Sequence, residues 1–91
     1  MAGVWDRPLK VGKVGHYAIY EDPKWLGESS IVSATATADP ADVRVVNTVA
    51  NDDHIIVFLE GIAPGFHKVR IDYTIGTGST ERCIGTVKVV A

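Results

Sequence analysis

Phe66-His67-Lys68-Val69-Arg70-Ile71-Asp72-Tyr73-Thr74-Ile75 alternates cleanly, with Val69, Ile71, Tyr73 and Ile75 on one side and Lys68, Arg70, Asp72 and Thr74 on the other. Successive side chains point to opposite faces only in an extended chain, so this is a β-strand with one face in a core and one in water. Gly76-Thr77-Gly78-Ser79 follows as a hairpin signal. The return strand then sets Cys83, Gly85, Val87 and Val89 against Arg82, Thr86 and Lys88.

Upstream of this hairpin, Gly61 to Gly65 with Pro64 reads as a loop, and residues 54–60 form the strand before it. Ile55, Ile56, Val57, Phe58 and Leu59 make that strand apolar on both faces. It is expected either between two layers or with its outer face covered by another subunit. Asn51-Asp52-Asp53 is a polar turn separating it from a strand over residues 42–48, carried by Val43, Val45 and Val46. Before that, Ile31, Ser33, Thr35 and Thr37 alternate with Val32, Ala34, Ala36 and Ala38, a strand with one small apolar face ended by Asp39-Pro40. Residues 14–21, with Tyr17, Ile19 and Tyr20, form a strand stopped by Asp22-Pro23, and Trp25-Leu26 lies beyond it near a turn closed by Gly27. Trp25, Leu26, Ile31, Phe58 and Tyr73 are the expected core anchors.

Six or seven short strands, turn signals about every ten residues and no segment of helical period predict an all-β fold: a small antiparallel immunoglobulin-like β-sandwich. The single cysteine, Cys83, cannot close an internal disulfide, and its place in the alternation points it inward as a small hydrophobe. Residues 1–13 have no period of two or 3.6, and are expected to be an extended N-terminal arm preceding a sandwich over residues 14–91. An isolated tryptophan on such a segment fills a groove on its own domain or on a neighbour. Val4, Trp5 and Leu9 are therefore the candidate partner-binding residues. Deleting residues 1–12 is expected to leave the domain folded.

With 46% hydrophobic residues and 22% charged, the chain can bury enough surface to fold as one domain, although a chain of 91 residues hides only about two-thirds of its unfolded surface. The net charge of −2 and the scattering of single Lys and Arg argue against nucleic acid. No stretch has a signal-peptide layout, and the longest apolar run, residues 55–59, is far short of the ~20 residues of a membrane helix. Neither nucleic acid nor membrane is an expected partner.

Catalytic and metal-binding patterns are missing from the sequence. His16, His54 and His67 fall on different strands or strand starts, without spacing that would aim two nitrogens at one metal. Asp39, Asp42, Asp52 and Asp53 lack the regular ligand spacing of a calcium loop and read as turn-formers. No serine sits in a nucleophile-elbow pattern, so no enzyme, cofactor or metal is expected. Tyr17, Tyr20, Trp25, Phe66 and Trp5 could stack on sugar rings if two of them were exposed together, but in a chain with two Trp, three Tyr and two Phe most aromatics belong to the core.

Four segments together resemble the fiber-tail adaptors of tailed bacteriophages: His16-Tyr17-Ala18-Ile19; Trp25-Leu26-Gly27 with Ile31 and Ser33; Phe58-Leu59-Glu60-Gly61 with Gly65; and Thr77-Gly78 followed by Glu81-Arg82. The resemblance runs from about Gly15 to Val90. His16 stands where that family tends to have an acid and Phe58 where it tends to have tryptophan, and Ile62 and Ala63 interrupt its small-residue corner. The resemblance implies a non-enzymatic virion protein, assembled in the host bacterial cytoplasm and present in several copies of a symmetric assembly. Its partners would be other virion proteins: tail, neck or fiber subunits. A capsid decoration protein that stabilises the head lattice and a host-surface carbohydrate-binding module are the competing expectations.

Overall fold

The computed structural model describes residues 2–5, 7–20 and 30–91, with backbone alone for 2–4. Its strands are β1 (Ala2–Val4), β2 (Leu9–Lys10), β3 (Val14–Tyr20), β4 (Ile31–Thr37), β5 (Val43–Ala50), β6 (His54–Gly61), β7 (Gly65–Ile75) and β8 (Thr80–Val90). One sheet runs β1-β8-β7-β4, with β2 also on the β8 edge; the other runs β3-β6-β5. The chain changes sheet between β2 and β3, between β3 and β4, between β4 and β5, and again between β6 and β7. With β1 and β2 as one interrupted first strand, this is the seven-stranded immunoglobulin-like sandwich expected from the sequence. The long strands pair antiparallel, while β1 and β2 join β8 in parallel.

The core follows the period-two pattern. Val69, Ile71, Tyr73 and Ile75 of β7 meet Cys83, Val87 and Val89 of β8 on one inner face, and Ile55, Val57 and Leu59 of β6 with Tyr17 and Ile19 of β3 supply the other. Leu59, Ile71, Val57, Val69 and Val87 are wholly excluded from solvent. Each such side chain contributes about 1.5–3 kcal/mol relative to exposure.

Two edge strands depart from strict alternation. In β4 the register to β7 slips between Ile31 and Ser33, so Ile31 is buried and Ala34 and Ala36 still pack on the core, while Val32 is left exposed. In β5 the slip falls between Val45 and Asn47 and leaves Val46 exposed. Each bulge spends one valine to keep the small residues on both sides of it facing inward. Because β4 and β5 are sheet edges, the bulges also break the regular ladder that another strand would need for pairing.

Two expectations change and a third narrows to one of its alternatives. β6 is the central strand of a three-stranded sheet, with its odd-numbered residues inward and its even-numbered ones, half-buried, on an outer face that no described strand covers. Phe58, expected in the core, is even-numbered in that strand and lies half-buried on the outer face. The described part of the stretch expected as an extended arm runs along β8, pairing Ala2 with Ile84 through Val4 with Thr86, then Leu9 with Val89 and Lys10 with Val90. It then steps between the sheets, as Val11 N–H bonds Val90 O, Gly12 N–H bonds Gly61 O, and Gly61 N–H bonds Lys13 O. The stretch is thus part of the sandwich, and a domain over residues 14–91 lacks one edge of a sheet and the link between the two. Trp25 and Leu26, with the turn at Gly27, lie outside the described residues.

Candidate partner-binding surfaces

Trp5 and Leu9 pack on their own domain. Leu9 is 3% exposed and lies over Gly15 of β3, so its side chain has no surface to offer a partner. The Trp5 ring sits 5.0 Å from the Tyr17 ring and directly on Gly85 of β8, where a Cβ would fall 2.3 Å from the indole. Its Nε1–H donates to Ala18 O at 3.2 Å, and its backbone N–H donates to Thr86 O at 3.0 Å. Arg7 donates from its guanidinium to His16 O. Two carbonyls of β3, an edge strand, thereby receive side-chain donors from the N-terminal stretch, which blunts that edge. Val4 pairs through its backbone with Thr86 on the outermost strand.

The outer face of β3-β6-β5 is the second candidate surface, the one the doubly apolar run 55–59 marks in the sequence as a face for another subunit. Cross-strand register lines up Ala18, Ile56 and Val49 in one row, flanked by the row His16, Phe58 and Asn47 and by the pair Tyr20 and His54. Tyr20 is 61% exposed and stacks on His54 with ring centroids 5.0 Å apart; His16 and Phe58 approach to 6.0 Å. The row nearest the sheet end holds Val14, Glu60 and Arg44, with Arg44 Nε 2.8 Å from Glu60. The face has an aliphatic centre, aromatic and imidazole rings around it, and an ion pair at one corner. The composition thus grades from an apolar centre to a polar rim. The signal was present in the sequence as the unbroken apolar run 55–59.

The histidines are held apart. His54 lies beside Asp53 at 2.7 Å and Asn51 at 3.2 Å, while His67 lies 2.7 Å from Ala63 O and 3.6 Å from Asp42. Among the described residues no three His, Cys, Asp or Glu side chains come together as a metal site. Asp39, read as a turn-former, accepts from Ala41 N–H at 2.9 Å. Cys83 is buried in the core. No described helix is long and apolar enough to cross a membrane.

Asp72 on the outer face of β7 accepts from Arg82 Nε at 2.8 Å and lies 3.1 Å from Arg70 Nε. The Arg82 hydrogen bond, reinforced by the charges of Arg82 and Arg70, holds its carboxyl below the ordinary value of 3.8. A group with a depressed folded-state pKa adds stability above its unfolded value and loses it as pH falls through the folded value. Asp72→Asn is therefore expected to lower the melting temperature slightly at pH 7 and low salt. The difference should vanish once the pH falls well below 3.8. Parallel thermal melts of the two proteins across that range check it; an offset independent of pH would mean that the arginines do not depress Asp72.

Comparison of the sequence with protein-family models and with curated proteins finds no match.

Proposed function

We propose that this protein is a non-enzymatic structural component of a tailed-bacteriophage virion, an adaptor joining tail or neck machinery to fibers or other appendages. The observation that carries the reading is the Ala18-Ile56-Val49 row on the outer face of β3-β6-β5, which no other described strand covers, bounded by Phe58 and Tyr20. An adaptor needs a rigid module with a flat apolar face for one neighbour and blunted edges that prevent indiscriminate strand pairing; the face and the bulges of β4 and β5 supply both. The resemblance across residues 15–90 supplies the biological setting. Several copies in a ring would present this face repeatedly around one axis.

Cryo-electron microscopy of the particle tests the reading. Density for this sandwich in a ring at the neck or tail supports it; density on the head lattice makes the protein a decoration protein; absence from the particle overturns both. Ile56→Lys addresses the face itself. Because Ile56 is on the outer surface, the substitution is expected to cost no more than about 1 kcal/mol, while the variant is excluded from particles. Normal incorporation would remove this face from the interface.

The pair Tyr20 and His54 favours a second reading, a carbohydrate platform, since stacked and exposed rings suit sugar faces. Phe58 lies opposite His16, four residues along β3 from Tyr20, about 13 Å at the strand rise. The aliphatic row between them fits a protein surface better than a sugar ring. A glycan-array screen separates the two.

A further inference from the structure

A groove of about 450 Å³ opens where the N-terminal stretch crosses from β2 to β3, lined by Arg7, Lys10, Lys13 and His16, with Pro8 and Val14 as apolar walls. Lys13 N–H bonds Lys10 O, so the two lysines occupy the corners of one tight turn, which Gly12 makes possible at φ 81°. Arg7 joins this cluster through its hydrogen bond to His16 O. The three side chains line one groove, and no carboxylate among the described residues pairs with Arg7, Lys10 or Lys13. Every other described arginine has such a partner: Arg44 with Glu60, and Arg70 and Arg82 with Asp72.

Under the groove lies a second feature. Tyr17 contributes to the lining and is 4% exposed, and its buried hydroxyl lies beside the Arg7 guanidinium. The hydroxyl reaches toward Gly15, in line with Leu9, and the Arg7 guanidinium sits 5.2 Å from the centre of the Tyr17 ring. Burial pushes the phenol above its ordinary value of 10.0, with the charge and hydrogen bond of Arg7 pulling part of the way back, so it keeps its proton at neutral pH. Three exposed cations with no carboxylate partner among the described residues make a local positive patch that attracts an anion.

We infer that this groove binds an acidic segment of a partner protein, with Arg7, Lys10 and Lys13 receiving its carboxylates. A polypeptide suits the groove better than a free small anion because the cations flank apolar surface from Pro8 and exposed Val14, which an extended chain would cover and a solvated ion would not. The overall charge of −2 makes the groove a local exception, favouring a partner that is acidic at one short segment. The inference deepens the adaptor reading and rests on it only for the source of the segment.

Hexaglutamate is the probe, titrated at low salt into the full-length protein labelled with nitrogen-15. Saturable shifts are expected at the amides of Lys10 to Val14 and not at those of Val49 or Ile56. The double variant Lys10→Gln, Lys13→Gln removes two exposed charges, should keep its melting temperature, and should bind at least fivefold more weakly. Hexaglutamine should leave the spectrum unchanged. A flat titration, or equal affinity in the double variant, overturns the inference. So does an equal response to inorganic phosphate at the same concentration, which would make the groove a small-anion site. These outcomes are independent of particle imaging: a flat titration removes the groove alone, and absence from particles removes the adaptor reading alone.

Discussion

Gly85→Ala is expected to destabilise the protein by about 2–4 kcal/mol and to lower its melting temperature by roughly 10–25 °C, a large effect for adding one methyl group to a strand. Elsewhere in a strand the same change would be neutral or helpful, since glycine lacks packing and carries excess entropy in the unfolded chain. Here the new Cβ would meet three ring carbons of Trp5 at 2.3, 2.6 and 2.8 Å. Tryptophan is rigid and its Nε1–H is tied to Ala18 O, so the ring cannot slide by the required distance and must leave. Leaving costs the Tyr17 contact, the hydrogen bond and the burial of the indole.

A double-mutant cycle isolates this mechanism. In a Trp5→Ala background, Gly85→Ala has nothing to collide with and should cost nothing or stabilise slightly, by about 0.5–1 kcal/mol. Urea denaturation of the four proteins gives the coupling, and fluorine NMR of fluorotryptophan-labelled protein follows Trp5 separately from Trp25. An equal cost in both backgrounds would show that the indole does not rest on Gly85.

The residues that stayed hidden in the sequence explain where reading by periodicity stops. β7 and β8 were legible because they are central and half-buried, so each side chain reports its face. β4 and β5 were found as strands, but the bulges at Val32 and Val46 were not, because an inserted residue of the same apolar type leaves no mark in composition. Phe58 faces outward because it is out of phase with Leu59 and Val57, and five apolar residues in a row hide that phase in the sequence. Trp5 and Leu9 were hardest: β1 and β2 are three and two residues long, too short for any period, and their partner β8 is more than seventy residues away in the chain. The cationic groove was invisible for a related reason, since Arg7, Lys10, Lys13 and His16 form no run and become neighbours only through the turn at Gly12.

Removal of residues 1–12 is expected to abolish most of the folded state. Truncating a buried leucine such as Leu9 costs about 2–5 kcal/mol, and losing the partly buried Trp5 adds to that, so together they take a large share of the stability of a domain this size, about 5–14 kcal/mol. The deletion also strips the donors from His16 O and Ala18 O and the bond that Gly12 makes to Gly61. β8 would then become an unprotected edge of eleven residues, a template for pairing between molecules. The truncated chain should show weak near-ultraviolet circular dichroism, lost amide protection at Tyr17 and Val89, and concentration-dependent aggregation. A synthetic peptide of residues 1–12 added in trans should recover part of the signal, limited by the lost effective concentration of a tethered segment. A truncated protein with the parent's urea midpoint would instead restore the picture of a separable arm. If it does collapse, its failure to enter particles would report lost folding and say nothing of partner contacts. The interface must then be probed by substitutions that spare the core, such as Ile56→Lys on the outer face and the lysine pair at the groove.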